Sequence, residues 1–189
     1  MEMLRGRLAR FRAGWLPGGL QRLLHVSLGI LGAFTLTAAH GTTRDIDVVF
    51  FPTPQAAVDK MLDMAAVKPG DMLIDLGSGD GRIPITAAKT YGARALGVDL
   101  DAKLVADSQA AAERESVADK VAFRVQDLFE TDLSGASVVS LFLSHSINMK
   151  LMPRLKALKP GTRIVSYGFA MGDWEPDRTE RVNGRNVYL

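Results

Sequence analysis

Asp75, Gly77, Gly79 and Gly81 stand at two-residue steps in the run Asp75-Leu76-Gly77-Ser78-Gly79-Asp80-Gly81-Arg82. An apolar stretch, 72–74, leads into this run and reads as a buried strand, and 83–89 leads out of it and reads as a helix. A strand, a glycine turn and a helix start make a cradle for a nucleotide-like ligand. Glycine lets the main chain approach closely, and the first helical N–H groups point at the bound group. Ser78 lies inside that cradle. The spacing narrows the ligand, because a dinucleotide fingerprint needs its third glycine at 82, where Arg82 stands. A second carboxylate, Asp99, closes the apolar run 93–99, 22 residues after Gly77. An acid about 20 residues on, at the tip of the second strand, is where such a sheet grips a ribose diol. A third, Asp127, is followed by Leu128 and ends a stretch in which Val121, Phe123 and Val125 alternate with period two. Three acids at the ends of three successive strands outweigh what one glycine loop alone would indicate.

The elements that must position these groups are read from periodicity and punctuation. Phe51-Pro52-Thr53-Pro54 precedes a helical face of Val58, Met61, Leu62 and Ala65, with Thr53 expected as its N-cap and Pro54 as its first helical residue. Asp101 is expected to cap a helix through Leu104, Val105 and Ala112, and 137–143 reads as a fourth strand. Ile147, Leu151, Leu155 and Leu158 form a helical stripe, although Pro153 predicts a regular helix only from near Met152. Lys159-Pro160-Gly161 breaks it, and 162–167 reads as a fifth strand. Asn183-Gly184 is a two-residue hairpin signal between 179–182 and 185–189. Alternating strands and helices predict an α/β fold: a doubly wound, mostly parallel sheet with helices on both faces.

Composition sets further bounds. At 189 residues the chain holds one domain plus, at most, an appendage. Residues 1–40 carry five arginines and one acid, leaving 18 basic and 20 acidic residues in 41–189. The overall charge of +2 therefore belongs to the amino-terminal segment, and the rest carries no global nucleic-acid footprint. With no cysteine, disulfides, thiolate metal sites and cysteine nucleophiles are excluded. No metal-ligand cluster is evident, so a metal-free protein is expected. From Leu23 to Thr43 there are 21 residues without Lys, Arg, Asp or Glu, preceded by the arginine-rich lead. This suits a secretory signal cleaved near Ala39 or a retained membrane anchor, and an organelle presequence is also compatible. The expected division is a signal or anchor segment, 1–44, and a folded domain, 45–189, exported or membrane-attached by that segment.

The Asp-x-Gly-x-Gly-x-Gly pattern at 75–81 resembles that of S-adenosylmethionine-dependent methyltransferases. Together with Phe51-Pro52-Thr53-Pro54 and Met61-Leu62, it is similar to the small protein-lysine methyltransferases acting on the ATP synthase c-subunit and the adenine-nucleotide translocase, and to their bacterial relatives. The resemblance runs from about Val49 onward and implies a Rossmann-like, seven-stranded fold. Such a fold would normally have one further strand beyond Leu189, so a sheet short of its last strand is expected. The resemblance also implies S-adenosyl-L-methionine as cofactor. Asp75 would hold its ammonium group directly or through water, and Gly77, Ser78, Gly79 and Gly81 would form the loop against it. Asp99 would accept from the ribose hydroxyls, Asp127 beside Leu128 from the adenine amino group, and Thr53 in the Pro-Thr-Pro turn would help close the site.

The implied partner is a protein with a reactive lysine, including membrane proteins, with membrane contact through the amino-terminal segment and no nucleic acid. The end of strand four, Leu143-Ser144-His145-Ser146, lacks the Asn-Pro-Pro-Tyr signature of nucleobase amino-methylation. A lysine must shed a proton first. Lowering its pKa from about 10.4 to about 7 corresponds to roughly 4.6 kcal/mol, which an apolar pocket can supply. His145, with Ser144 and Asn148 nearby, is the candidate catalytic group, and Asp173-Trp174 is a candidate wall of the acceptor pocket. His25 and His40 lie in the amino-terminal segment and are not candidates. Two other readings compete: a nicotinamide oxidoreductase, weakened by Arg82, and an exported or anchored non-catalytic binding protein on the same scaffold.

Overall fold

The chain runs through α1 (Gln55–Met64), β1 (Met72–Leu76), α2 (Arg82–Tyr91), β2 (Arg94–Asp99), α3 (Ala102–Arg114) and β3 (Val121–Val125). It continues through β4 (Val138–Leu141), α4 (His145–Lys156), β5 (Arg163–Tyr167), β6 (Thr179–Val182) and β7 (Arg185–Tyr188). This computed structural model describes residues 51–189; the apolar run 23–43, its arginine-rich lead and the expected boundary near 45 lie outside them. The strands form one sheet in the order β3-β2-β1-β4-β5-β7-β6. The first five are mutually parallel, and β7 is antiparallel to both its neighbours. Sequence order reverses between β1 and β4. In an open parallel sheet that reversal opens a crevice at the carboxyl ends of the strands, and ligands bind there.

Burial explains why these runs are strands. β1 and β4 lie centrally and are apolar and buried almost throughout, as a parallel strand covered on both faces must be. Alternate residues feed two cores. Leu73, Val138, Val165 and Tyr167 pack with α1, α2 and Ala112 of α3. Ile74, Leu76, Val98, Val139 and Leu141 pack with Ile147, Leu151 and Leu155 of α4 on the opposite face. Helices therefore cover both faces. The edge strands are exceptions: in β3 Val121 is buried but Val125 is 56% exposed, and in β6 no residue is buried.

Three local expectations are corrected. Thr53 is not an N-cap: α1 starts at Gln55, Pro54 is its cap residue, and no side chain bonds there. The Pro54 carbonyl accepts from the Ala57 N–H at 2.8 Å, which leaves the Thr53 side chain to face elsewhere. α4 does not wait for Met152 but runs from His145 through Pro153. Its start is fixed by Ser144, whose Oγ accepts from the Ile147 N–H at 3.4 Å. The helix is held by fully buried Leu151 and nearly buried Leu155 on either side of the proline, which itself is exposed. Finally, the sheet is not a strand short. The tight Asn183-Gly184 turn, with φ of 49° and 77°, folds 179–188 into two four-residue strands. No helix separates β5 from β6, so β7 reaches its place between β5 and β6 within a short stretch of chain.

Candidate active site

A cavity of about 870 Å³ opens at the carboxyl ends of β1 to β5, within the ~300–1,000 Å³ typical of small-molecule sites. Asp75 lines it from β1 and is 2% exposed. The neighbouring strand supplies its partner, for Asp75 stands in register with Ser140 and the Ser140 Oγ donates to Asp75 Oδ1 at 2.6 Å. Burial pushes the Asp75 carboxyl up to about 7, the charges of Asp99 and Asp80 push the same way, and the hydrogen bond from Ser140 and the nearby Ser78 hydroxyl pull against them. Ser78 also lines the cavity, although its hydroxyl oxygen is buried. That hydroxyl makes no hydrogen bond of regular geometry within the protein, although it lies near enough to Asp75 to lower that pKa.

The glycine loop is held over β2. Gly77 N and Ser78 N both donate to Val98 O, at 3.0 and 2.9 Å. At the tip of β2, Asp99 Oδ2 accepts from Gly79 N at 2.9 Å and Oδ1 from Asp101 N at 3.0 Å. A carboxylate has about four acceptor positions, so main-chain bonds fix the orientation of Asp99 and leave capacity on both oxygens toward the cavity. Gly77, at φ +76°, forms the floor of the cradle, where a Cβ would come within 2.8 Å of Leu143 Cδ2. Gly79 and Gly81 are not among the lining residues. Gly79 acts through its N–H on Asp99. A Cβ on Gly81, at φ +76°, would meet Phe123 Cζ at 2.6 Å and Ser108 Cβ at 2.8 Å, so Gly81 lets the helix start nest against β3 and α3.

Beyond β3, Asp127, Leu128 and Phe129 line the cavity. Asp127 Oδ1 accepts from Phe129 N at 2.8 Å, which turns the loop back toward the ligand space. Thr53, 6% exposed, lines the opposite rim. Arg82 Nη1 donates to Thr53 O at 2.8 Å, while Arg82 Nε donates to Asp80 Oδ1 at 2.9 Å. The residue that breaks the dinucleotide fingerprint therefore ties the glycine loop to the Pro-Thr-Pro turn.

The structure does not bring His145 or Asn148 to this cavity. His145 is exposed on the first turn of α4. Asn148 is fully buried, with Nδ2 donating to Phe169 O at 3.1 Å and to Ser166 Oγ at 3.4 Å. Asp173 is exposed, and Trp174 packs beside the α4 core with Lys156 Nζ 5.3 Å from its ring centroid; neither walls the cavity. The groups that do stand over β4 and β5 are Phe142, Leu143, Ser144, Ile147 and Phe169. Phe142 follows strand four and Phe169 follows Gly168 after strand five, so a mixed cluster forms only once these strands pair.

The ANTKMT methyltransferase domain family matches residues 75–178, the stretch from Asp75 to beyond β5. This chain belongs to that family. As an ANTKMT-type methyltransferase it is 39% identical over 142 residues to a protein-lysine N-methyltransferase of Saccharolobus islandicus (strain REY15A), covering 74% of this chain and 88% of that protein. It is 32% identical over 159 residues to the ATP synthase c-subunit lysine N-methyltransferase of Rattus norvegicus, covering 80% and 73%. Among solved structures it is similar to an RNA methyltransferase from Salinibacter ruber in complex with S-adenosyl-L-homocysteine, at 52% identity and a TM-score of 0.71, covering 73% of this chain and 91% of that one. The methyl donor of this ANTKMT-type enzyme is S-adenosylmethionine, and the cavity fits it. It offers a glycine floor with no side chain, oriented acceptors on Asp99, a buried carboxyl at Asp75 and apolar walls from Leu104, Leu128 and Phe129. Neither the oxidoreductase reading nor the non-catalytic one finds support in these relatives.

Proposed function

We propose that this chain methylates the side-chain amine of a protein lysine. The observation that carries the reading is the division of the cavity. Its carboxylates, Asp75, Asp80, Asp99, Asp101 and Asp127, all stand on or just beyond β1, β2 and β3, whereas the part over β4 and β5 is lined by Phe142, Leu143, Ser144, Ile147 and Phe169, with no charged side chain. The donor supplies a methyl group already activated on a sulfonium sulfur, so the protein's task is to place it and to present an uncharged nucleophile. Asp99 would hold the ribose, Asp127 and Leu128 the adenine, and Asp75 the ammonium group, which leaves the uncharged part of the cavity over β4 and β5 for the acceptor. Desolvation between Phe142 and Phe169 favours the neutral amine of an entering lysine, and no general base is needed from His145 or Asn148.

The protein-lysine enzymes among its relatives support this acceptor class. The apolar run 23–43 supports a membrane protein as the acceptor, with that run acting as an anchor or signal and 45–189 as the catalytic domain. No helix among the described residues is long and apolar enough to cross a membrane. A second reading, methylation of RNA, is favoured by the likeness to the Salinibacter ruber RNA methyltransferase, since flat aromatic walls can also stack on a base. Incubating the full-length protein with labelled S-adenosylmethionine and, in parallel, membrane protein or total RNA separates the two. Label recovered as methyl-lysine after protein hydrolysis is the expected result; label in RNA alone would overturn the lysine reading.

A further inference from the structure

We propose that Arg154 is a positioning residue for the adenosine end of the site: from the last turn of α4 it clamps the loop after β3 that carries Asp127 and Leu128. Its guanidinium donates to three main-chain carbonyls of that loop. Nη1 reaches Leu128 O at 3.3 Å and also Phe129 O, and Nη2 reaches Thr131 O at 2.5 Å. The loop is closed from within as well. Phe129 N donates to Asp127 Oδ1 at 2.8 Å, Glu130 N to Asp127 O at 3.0 Å and Thr131 Oγ1 to Asp127 O at 3.0 Å. These internal bonds fix the turn around Asp127 but do not tie it to α4. Arg154 makes that tie, and it acts on the residues that face the ligand, since Asp127, Leu128 and Phe129 all line the cavity.

The chemistry requires arginine. Irregular main chain directed at a helix leaves carbonyls that must find donors. A planar guanidinium with five N–H groups in a fixed fork can serve carbonyls on several residues at once, whereas an ammonium on a flexible stem cannot hold them in one geometry. Position adds meaning. Ile147, in the first turn of α4, lines the half of the cavity assigned to the acceptor, and Arg154 lies about two helical turns further along. One helix thus forms the acceptor wall and sets the adenosine loop.

The proposal rests on the placement of adenosine over β2 and β3, and the test separates the two. Calorimetric titration of the full-length protein with S-adenosylhomocysteine, and separately with 5′-methylthioadenosine, is compared for wild type, Arg154→Lys and Arg154→Met. Both variants are expected to bind both ligands about tenfold more weakly, by the same factor, because the defect lies at the half the two ligands share. A merely structural role would lower the melting temperature and leave both dissociation constants within about twofold of wild type; that result would overturn the proposal. If Arg154→Met does not fold, Arg154→Lys decides on the same criterion. Wild-type protein that binds neither ligand would overturn the adenosine placement and the clamp with it, whereas normal wild-type binding with unaffected variants would remove the clamp alone.

Discussion

Asp75 sits where two demands conflict. Its burial favours the neutral acid, and the ammonium group it is proposed to hold favours the carboxylate. With a folded pKa raised from 3.8 to about 7, the native state keeps a proton that the unfolded chain loses between those values. Stability is therefore greatest at low pH as far as this group is concerned, and it declines as pH rises from about 4 to about 7. Asp75→Asn is expected to flatten that part of the stability-versus-pH curve, measured by urea denaturation from pH 5 to 8. Ligand binding runs the other way. Below pH 7, S-adenosylhomocysteine must displace the proton, so its affinity should rise up to pH 7 and level off above it. Titration at pH 6.5 in two buffers of different ionisation enthalpy should show a proton released in wild type and none in Asp75→Asn.

At the scale of elements, the strand–loop–helix unit depends on steric clearance as much as on hydrogen bonds. Gly81 combines a left-handed φ of +76° with a Cβ direction blocked by the Phe123 ring and Ser108. Gly81→Ala should therefore cost about 3 kcal/mol of stability, whereas exposed Gly135, with nothing within 4 Å of its Cβ direction, should accept alanine within about 0.5 kcal/mol. Chemical denaturation of the pair would check both. Much of this unit was legible in the sequence. Asp75 and Asp99 could be placed at strand ends because each closes an apolar run, Asp127 lies just beyond β3 after an alternating stretch, and Asn183-Gly184 announced its own turn. Other features were not legible, for physical reasons. Pro153 stops a helix only where tertiary packing does not outweigh the lost bond, and Leu151 and Leu155 provide that packing. Thr53 carries a capping side chain, yet the carbonyl of Pro54 is what starts the helix. Gly97, mid-strand in β2, was the available signal for a tight approach: a Cβ there would lie 2.3 Å from Ser78 Oγ.

Across the whole molecule, the two ends of the parallel strands have separate tasks. The carboxyl ends of β1 to β5 hold the cavity. At the opposite end, Arg163 opens β5 and donates to Ala65 O at 2.7 Å, Ala66 O at 2.9 Å and Asp71 Oδ1 at 2.5 Å. Burial alone would raise the Asp71 pKa, but hydrogen bonds from Arg163, Ser137 and the Lys68 N–H outweigh it and hold the carboxyl below its usual value. This contribution is present above the unfolded pKa and is lost as pH falls through the folded one. Arg163→Met should cost about 3 kcal/mol by leaving a buried carboxylate without its partner, and yet leave S-adenosylhomocysteine affinity within about twofold. The aromatic half of the cavity is also a property of the whole. Phe142 and Phe169 are brought to one wall only because the topology pairs β4 with β5, and Arg154 meets the loop after β3 only because α4 folds back across the sheet.

Cofactor placement is tested most directly by calorimetric binding of S-adenosylhomocysteine to the full-length protein beside its Asp99→Ala variant. Two lost hydrogen bonds to a charged acceptor correspond to about 3 kcal/mol or more, roughly a hundredfold in affinity. Wild-type binding, and that loss in a variant that remains folded, is the expected result. A folded Asp99→Ala protein that binds as tightly as wild type would contradict the placement of the cofactor across the ends of β1, β2 and β3.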